Sequence, residues 1–150
     1  MIVPFGLSEG LQLEKARLRL GWDASVEELS RIGGPITYRH KTEVSVRWAD
    51  EAVLGGLPVS VTATSAAGPN VFYLAWAKSV DSAQAEYDQL IHELTARLGI
   101  PTTSIMDAGC PWTSWIWGEV VVSLRIGERF TEYVSLMVAK GISHASSQIA

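Results

Sequence analysis

Apolar and polar residues alternate with a period of two in several segments between Thr37 and Ala139, and this rhythm constrains the fold more than any other feature. Val44, Val46 and Trp48 alternate with Glu43, Ser45 and Arg47, and Val59, Val61 and Ala63 alternate with Ser60, Thr62 and Thr64. Successive side chains of a strand point to opposite faces, so each segment predicts a strand with one apolar face and one wetter face. The cluster Ser65-Ala66-Ala67-Gly68-Pro69-Asn70 turns the chain into Val71-Phe72-Tyr73-Leu74-Ala75-Trp76, whose continuous apolar run predicts a strand buried on both faces. Two further alternating strands are expected from Trp115 to Ile126 and from Phe130 to Ala139, joined through Gly127-Glu128.

Helical periodicity interrupts the alternation. Asp81 or Ser82 caps a helix reaching Leu98, with Tyr87, Leu90, Ile91, Leu94 and Leu98 on one stripe and Gly99 as its stop. Near the N-terminus, Leu11 to Leu20 is rich in helix formers and ends at Gly21, which predicts a first short helix. Ser25 and Glu28 have capping-box spacing, and with the stop at Gly33-Gly34-Pro35 they predict a second. The segment from Ile100 to Trp112 reads as a loop. The expected fold class is therefore α+β: an antiparallel sheet of about five strands, one long helix packed across it and two short N-terminal helices. One domain is expected over 1–150, with 141–150 a frayed tail.

Two stretches carry a family resemblance. Gly10-Leu11-Gln12-Leu13-Glu14-Lys15-Ala16-Arg17-Leu18-Arg19-Leu20-Gly21 resembles the opening of many small α+β domains. Tyr87-Asp88-Gln89-Leu90-Ile91-His92-Glu93-Leu94-Thr95-Ala96-Arg97-Leu98-Gly99-Ile100-Pro101, followed by a Trp-led hairpin, is similar to the second half of bacterial α+β immunity proteins that neutralise toxins. Together they cover about a fifth of the chain. The resemblance implies inhibition by direct binding and transfers no individual residue.

Side chains suited to catalysis are few. A hydrolytic triad needs a nucleophile, a base and an orienting acid, and the three histidines are scattered: His40 on a strand, His92 on the solvent side of the long helix and His144 in the tail. His92 follows Asp88 by four residues, a spacing that surface pairs on helices also use. Cys110 has no Lys, Arg or His near it in sequence to stabilise a thiolate. There is no Cys-x-x-Cys, His-x-x-x-His or Glu-x-x-His spacing for a metal, and Gly33-Gly34 and Gly55-Gly56 lack the remainder of a phosphate-binding loop. Asp50-Glu51 reads as a solvated turn before the next strand. No catalytic residue, metal or cofactor is expected.

Surface features point instead to recognition. Read as one continuous strand, 115–126 places Ile116, Val120, Val122, Leu124 and Ile126 on one face, with Trp115, Trp117, Glu119 and Arg125 on the other. Tyr133 and Met137 of the last strand fall opposite its own apolar row. These six residues form the first candidate partner-binding surface, because aromatic residues, Met and Arg are enriched at interfaces. The alternative is that the N-terminal helices or the 100–112 loop cover them. The second candidate is the acidic set Asp81, Glu86, Asp88 and Glu93 on the long helix, which would steer a basic partner.

With 12 basic and 16 acidic residues the formal charge is −4, which disfavours nucleic-acid binding, where cationic side chains displace counterions from phosphates. The opening Met1 to Gly6 lacks a charged n-region and a long apolar run, no apolar stretch approaches the roughly 20 residues that span a bilayer, and the single Cys110 suits a reducing compartment. A cytoplasmic location is the expectation, with a protein partner such as a basic toxin domain and no nucleic acid or membrane. Two alternatives stand beside it. One is a small-molecule-binding or hydrolytic domain with a pocket lined by Trp48, Trp76 and Tyr87 between sheet and helix. The other is a homo-oligomeric structural protein, a homodimer for example, burying the Trp face.

Overall fold

Leucines recur at 11, 13, 18 and 20, on either side of the polar tetrapeptide Glu14 to Arg17. This is a period of two on each side of a turn, and the computed structural model of the protein, which describes residues 2–141, resolves it as a hairpin and not the expected first helix. Strand β1 (Gly10–Leu13) pairs antiparallel with β2 (Leu18–Gly21). Leu11, Leu13 and Leu20 are buried on one side, which a helix of these residues could not achieve against a flat sheet. The second N-terminal helix forms as α1 (Val26–Leu29), a single turn with the full capping box between Ser25 and Glu28.

Eight strands then build one antiparallel sheet. They are β3 (Ile36–His40), β4 (Glu43–Val53), β5 (Leu57–Thr64), β6 (Val71–Trp76), β7 (Thr103–Asp107), β8 (Cys110–Trp117), β9 (Val120–Glu128) and β10 (Glu132–Lys140), ordered β3-β4-β5-β6-β10-β9-β8-β7. Helix α2 (Ala83–Leu98), capped by the Ser82 side chain and closed by Gly99 at φ 89°, carries the chain from β6 in mid-sheet to β7 at the far edge. The expected α+β class with five strands is thereby corrected. Among the described residues strand accounts for 49% and helix for 16%, and α2 is the one helix of substantial length, so the architecture is mainly β.

Two misreadings account for most of the difference. The 100–112 segment contains β7, only five residues long, and the start of β8 beyond the Ala108-Gly109 turn, so neither offers a window long enough to show an alternation. The expected strand 115–126 is two strands, because Gly118-Glu119 forms a two-residue turn across which Trp117 pairs with Val120. Gly118 adopts φ 60°, the conformation that the first position of a II′ hairpin turn requires. The 141–150 tail falls outside the described residues from 142 onward.

One face of the sheet holds the core. Val46, Trp48, Val59, Val61, Phe72, Leu74, Leu136, Val138, Val122, Leu124, Ile126 and Trp115 join the buried residues of the β1–β2 hairpin, α1 and α2 in one cluster. The hairpin and α1 lie on β4, and α2 crosses β9 and β10. The hairpin is fastened at β4 by Glu51. That residue is buried beside a bulge, and its carboxylate accepts hydrogen bonds from the backbone N–H of Lys15 (3.0 Å), Ala16 (3.1 Å) and Ala52 (3.0 Å). The expected solvated turn at Asp50-Glu51 is thus an interior anchor with Asp50 alone exposed, pairing with Lys15 at 2.8 Å. No described helix is long and apolar enough to cross a membrane.

Candidate recognition surface

Paired residues of neighbouring strands share a face, so the register fixes the opposite side of the sheet. It carries Ser60 and Thr62 of β5, Tyr73 and Ala75 of β6, Ser135 and Met137 of β10, Ser123 and Arg125 of β9, and Trp112 and Ser114 of β8. None of the buried residues of the hairpin, α1 or α2 joins this side. Its small apolar cluster, Val71, Val121 and Ala139 with Ala67, Ile116 and Met137, comes from the sheet and its β5–β6 turn. β6 is accordingly not buried on both faces: Tyr73 and Ala75 are exposed.

At the centre of this side lies a depression of about 550 Å³ lined by Tyr73, Trp112, Ser123, Arg125, Tyr133 and Met137 together with Ser135. Its floor is organised by Trp112. The indole Nε1 donates to Ser123 Oγ at 2.7 Å, and the Arg125 guanidinium lies over the ring at 4.6 Å, leaving Trp112 only 6% exposed. This cation–π contact restrains Arg125 while its N–H groups stay able to donate. Asp107 touches it loosely at 3.5 Å, with both side chains partly exposed. On the other rim the Tyr133 ring lies on Gly127, where an added Cβ would come within 2.4 Å of the ring. The glycine therefore gives the tyrosine a flat seat.

The first predicted surface is divided by this geometry. Arg125, Tyr133 and Met137 do come together. Trp115 and Trp117 do not join them, because the two-residue turn places them on the same face as Val120 and Val122. Trp115 is 1% exposed and donates Nε1–H to Gly99 O at 2.9 Å, a core residue bound to the C-terminus of α2. Trp117 is half-buried against the same core, and Glu119 sits in the turn, exposed, away from the depression. Sequence reasoning missed Trp112, Tyr73 and Ser123. For Trp112 the signal is Trp-Gly-Glu-Val at 117–120, a Gly-X hairpin turn that resets the face of the residues before it on the same strand, whereas Tyr73 is placed by the pairing of β6 with β10.

The acidic helix does not present one face. At ~100° per residue, Asp88 falls on one flank of the buried stripe and Glu86 and Glu93 on the other, and Asp81 precedes the helix. Glu93 is held by Arg97 at 2.7 Å, which draws its carboxyl below the ordinary carboxylate range, and Arg97 also reaches Gly55 O at 3.4 Å. Glu86 is half-buried, and burial pushes its carboxyl up. Asp88 accepts from Gln84 at 3.0 Å, and Asp81 is exposed just before the helix.

The residues considered for chemistry remain apart. His40 ends an edge strand, exposed. His92 lies in an open groove with Trp76, Lys78, Asp88 and Glu93, about 540 Å³ in volume. Of the three residues expected around a sheet–helix pocket, Trp76 alone lines that groove, whereas Trp48 and Tyr87 are core. The Tyr87 hydroxyl is raised by burial and hydrogen-bonds Thr113 Oγ1 at 2.6 Å. Cys110, Glu128 and Glu132 bring one ligand atom each within 4.8 Å of one another, a half-buried thiol beside two exposed carboxylates that no spacing motif announced. His144 falls outside the described residues.

Compared with known proteins, the chain matches no family model, no curated protein and no solved structure.

Proposed function

We propose that this protein is a non-catalytic binding module of the immunity type, which neutralises a toxin by direct contact through the side of the sheet that α2 and the N-terminal hairpin leave uncovered. The observation that carries this reading is the depression where Trp112, Arg125, Tyr73, Tyr133 and Met137 converge. Rigid aromatic rings and a prepositioned guanidinium bury large area at small entropic cost, and these residue types dominate binding energy at interfaces. The formal charge of −4 favours encounter with a basic partner. The resemblance of α2 and the following hairpin to immunity proteins points the same way.

The test is co-expression with the product of the reading frame adjacent to its own gene. A 1:1 complex that survives gel filtration, with relief of that product's toxicity, is the expected outcome. Absence of binding at roughly micromolar concentration, where even modest inhibitors associate, would reject the reading.

A further inference from the structure

An open sheet has two edges, and both expose apolar side chains, Ile36 and Tyr38 on β3 as well as Ile105 and Met106 on β7, but they differ in proline and cationic guards. β3 begins after Pro35, carries Arg39 and His40, and is fastened to α1 by the Arg39–Glu27 pair at 2.5 Å. Proline and charge are the usual means by which proteins keep edge strands from pairing with other chains. β7, Thr103-Ser104-Ile105-Met106-Asp107, has neither proline nor lysine nor arginine, runs without a bulge along β8, and exposes Ile105 (42%) and Met106 (66%). Its single charge, Asp107, is at the end and already leans on Arg125.

The direction of its backbone groups can be read from β8. Ile116 N donates to Thr102 Oγ1 at 2.8 Å and Ser114 O accepts from Thr102 N at 2.8 Å, so the main chain of Ser114 and Ile116 faces the β7 side. By alternation, Thr103, Ile105 and Asp107 bond back to β8, and Ser104 and Met106 aim their N–H and C=O groups out of the sheet. Pro111 agrees with this: its missing N–H lies on the β9 side, where pairing stops at Trp112 and Arg125.

From these placements we propose that β7 pairs antiparallel with β7 of a second copy of this chain, joining the two sheets across a two-fold axis at Ile105. In that register Ser104 of each copy is opposite Met106 of the other, giving four main-chain hydrogen bonds. Ile105 faces its own copy at the axis in a non-hydrogen-bonded position, where side chains approach most closely. Asp107 faces Thr103 and not a second carboxylate, so no like charges meet. The pairing is self-complementary, as a two-fold contact must be, and it covers the two most apolar side chains of an otherwise unguarded edge. A five-residue strand pair is a small interface, which sets the expected dissociation constant at roughly 100 µM.

Sedimentation equilibrium of the full chain between about 10 µM and 1 mM brackets that constant and reads the proposal directly. The mass should rise from one chain toward two. Ile105→Lys, which sets a lysine against its own copy, should weaken the association about tenfold or more, as should Met106→Lys, whereas Tyr38→Lys on the opposite edge should leave it unchanged. Amide exchange of the unaltered protein gives a second readout: Ser104 and Met106 should gain protection as concentration rises. A monomer throughout, a dimer indifferent to both β7 substitutions, a dimer lost with Tyr38→Lys, or self-association without protection at Ser104 and Met106 would each overturn it.

Discussion

Trp115 and Arg125 lie on opposite faces of the sheet, and substitution separates their roles. Trp115 fills the core under α2 and donates to Gly99 O, so Trp115→Ala removes a buried indole and its hydrogen bond. Denaturant titration should record a loss of about 3–5 kcal/mol. Arg125 lies on Trp112 at the surface, and Arg125→Ala should cost less than about 1 kcal/mol. A titration at Glu86 tests the helix flank. Burial holds its folded-state carboxyl above the ordinary value of 4.5. Below the unfolded value the group is protonated in both states and costs nothing; as pH rises through the folded value, the fold must carry an ionised, partly desolvated carboxylate. Glu86→Gln should therefore raise the melting temperature at pH 7 and leave it nearly unchanged at about pH 3.5. At this scale the sequence disclosed which residue types matter but not which way they point. Trp115 and Trp117 stood out by composition, and their face depended on a turn two residues long.

That turn belongs to the element scale. Gly118 holds φ 60° with nothing within 4 Å of where a Cβ would be, so Gly118→Ala meets a conformational penalty and no clash. It should destabilise the protein by about 1 kcal/mol in thermal or chemical unfolding, with the fold unchanged. Elements with a strong local signal were legible: α2 runs between a Ser cap and a Gly stop within a residue of expectation, and the Ser25–Glu28 capping box forms. Those decided by tertiary context were not. Leu11 to Leu20 satisfies helix propensity, yet its leucines are spent on a hairpin whose turn is held by Glu51, thirty-odd residues away. Among the described residues β7 pairs only with β8, and it has no alternation to betray it.

For the molecule as a whole, a single antiparallel sheet with its hairpin and helices gathered on one side leaves the other side without a covering element among the described residues. Antiparallel sheets tolerate such one-sided cover because a polar face can remain in contact with water. Here that face is mixed: serines and threonines surround a patch of Tyr73, Trp112, Arg125, Tyr133 and Met137. Trp115 and Trp117, on which the expected aromatic surface rested, pack against the core, and of the six residues expected there Arg125, Tyr133 and Met137 line the depression. The sequence could not supply Tyr73, whose place follows from the pairing of β6 with β10. The most direct measurement is a calorimetric titration of the adjacent reading frame's product, the proposed partner, into Arg125→Glu beside the unaltered protein, with melting temperatures recorded for both. The account predicts affinity reduced at least about tenfold at an unchanged melting temperature. Undiminished affinity in Arg125→Glu, with binding lost instead when Asp88 on α2 and Asp81 just before it are neutralised, would contradict it.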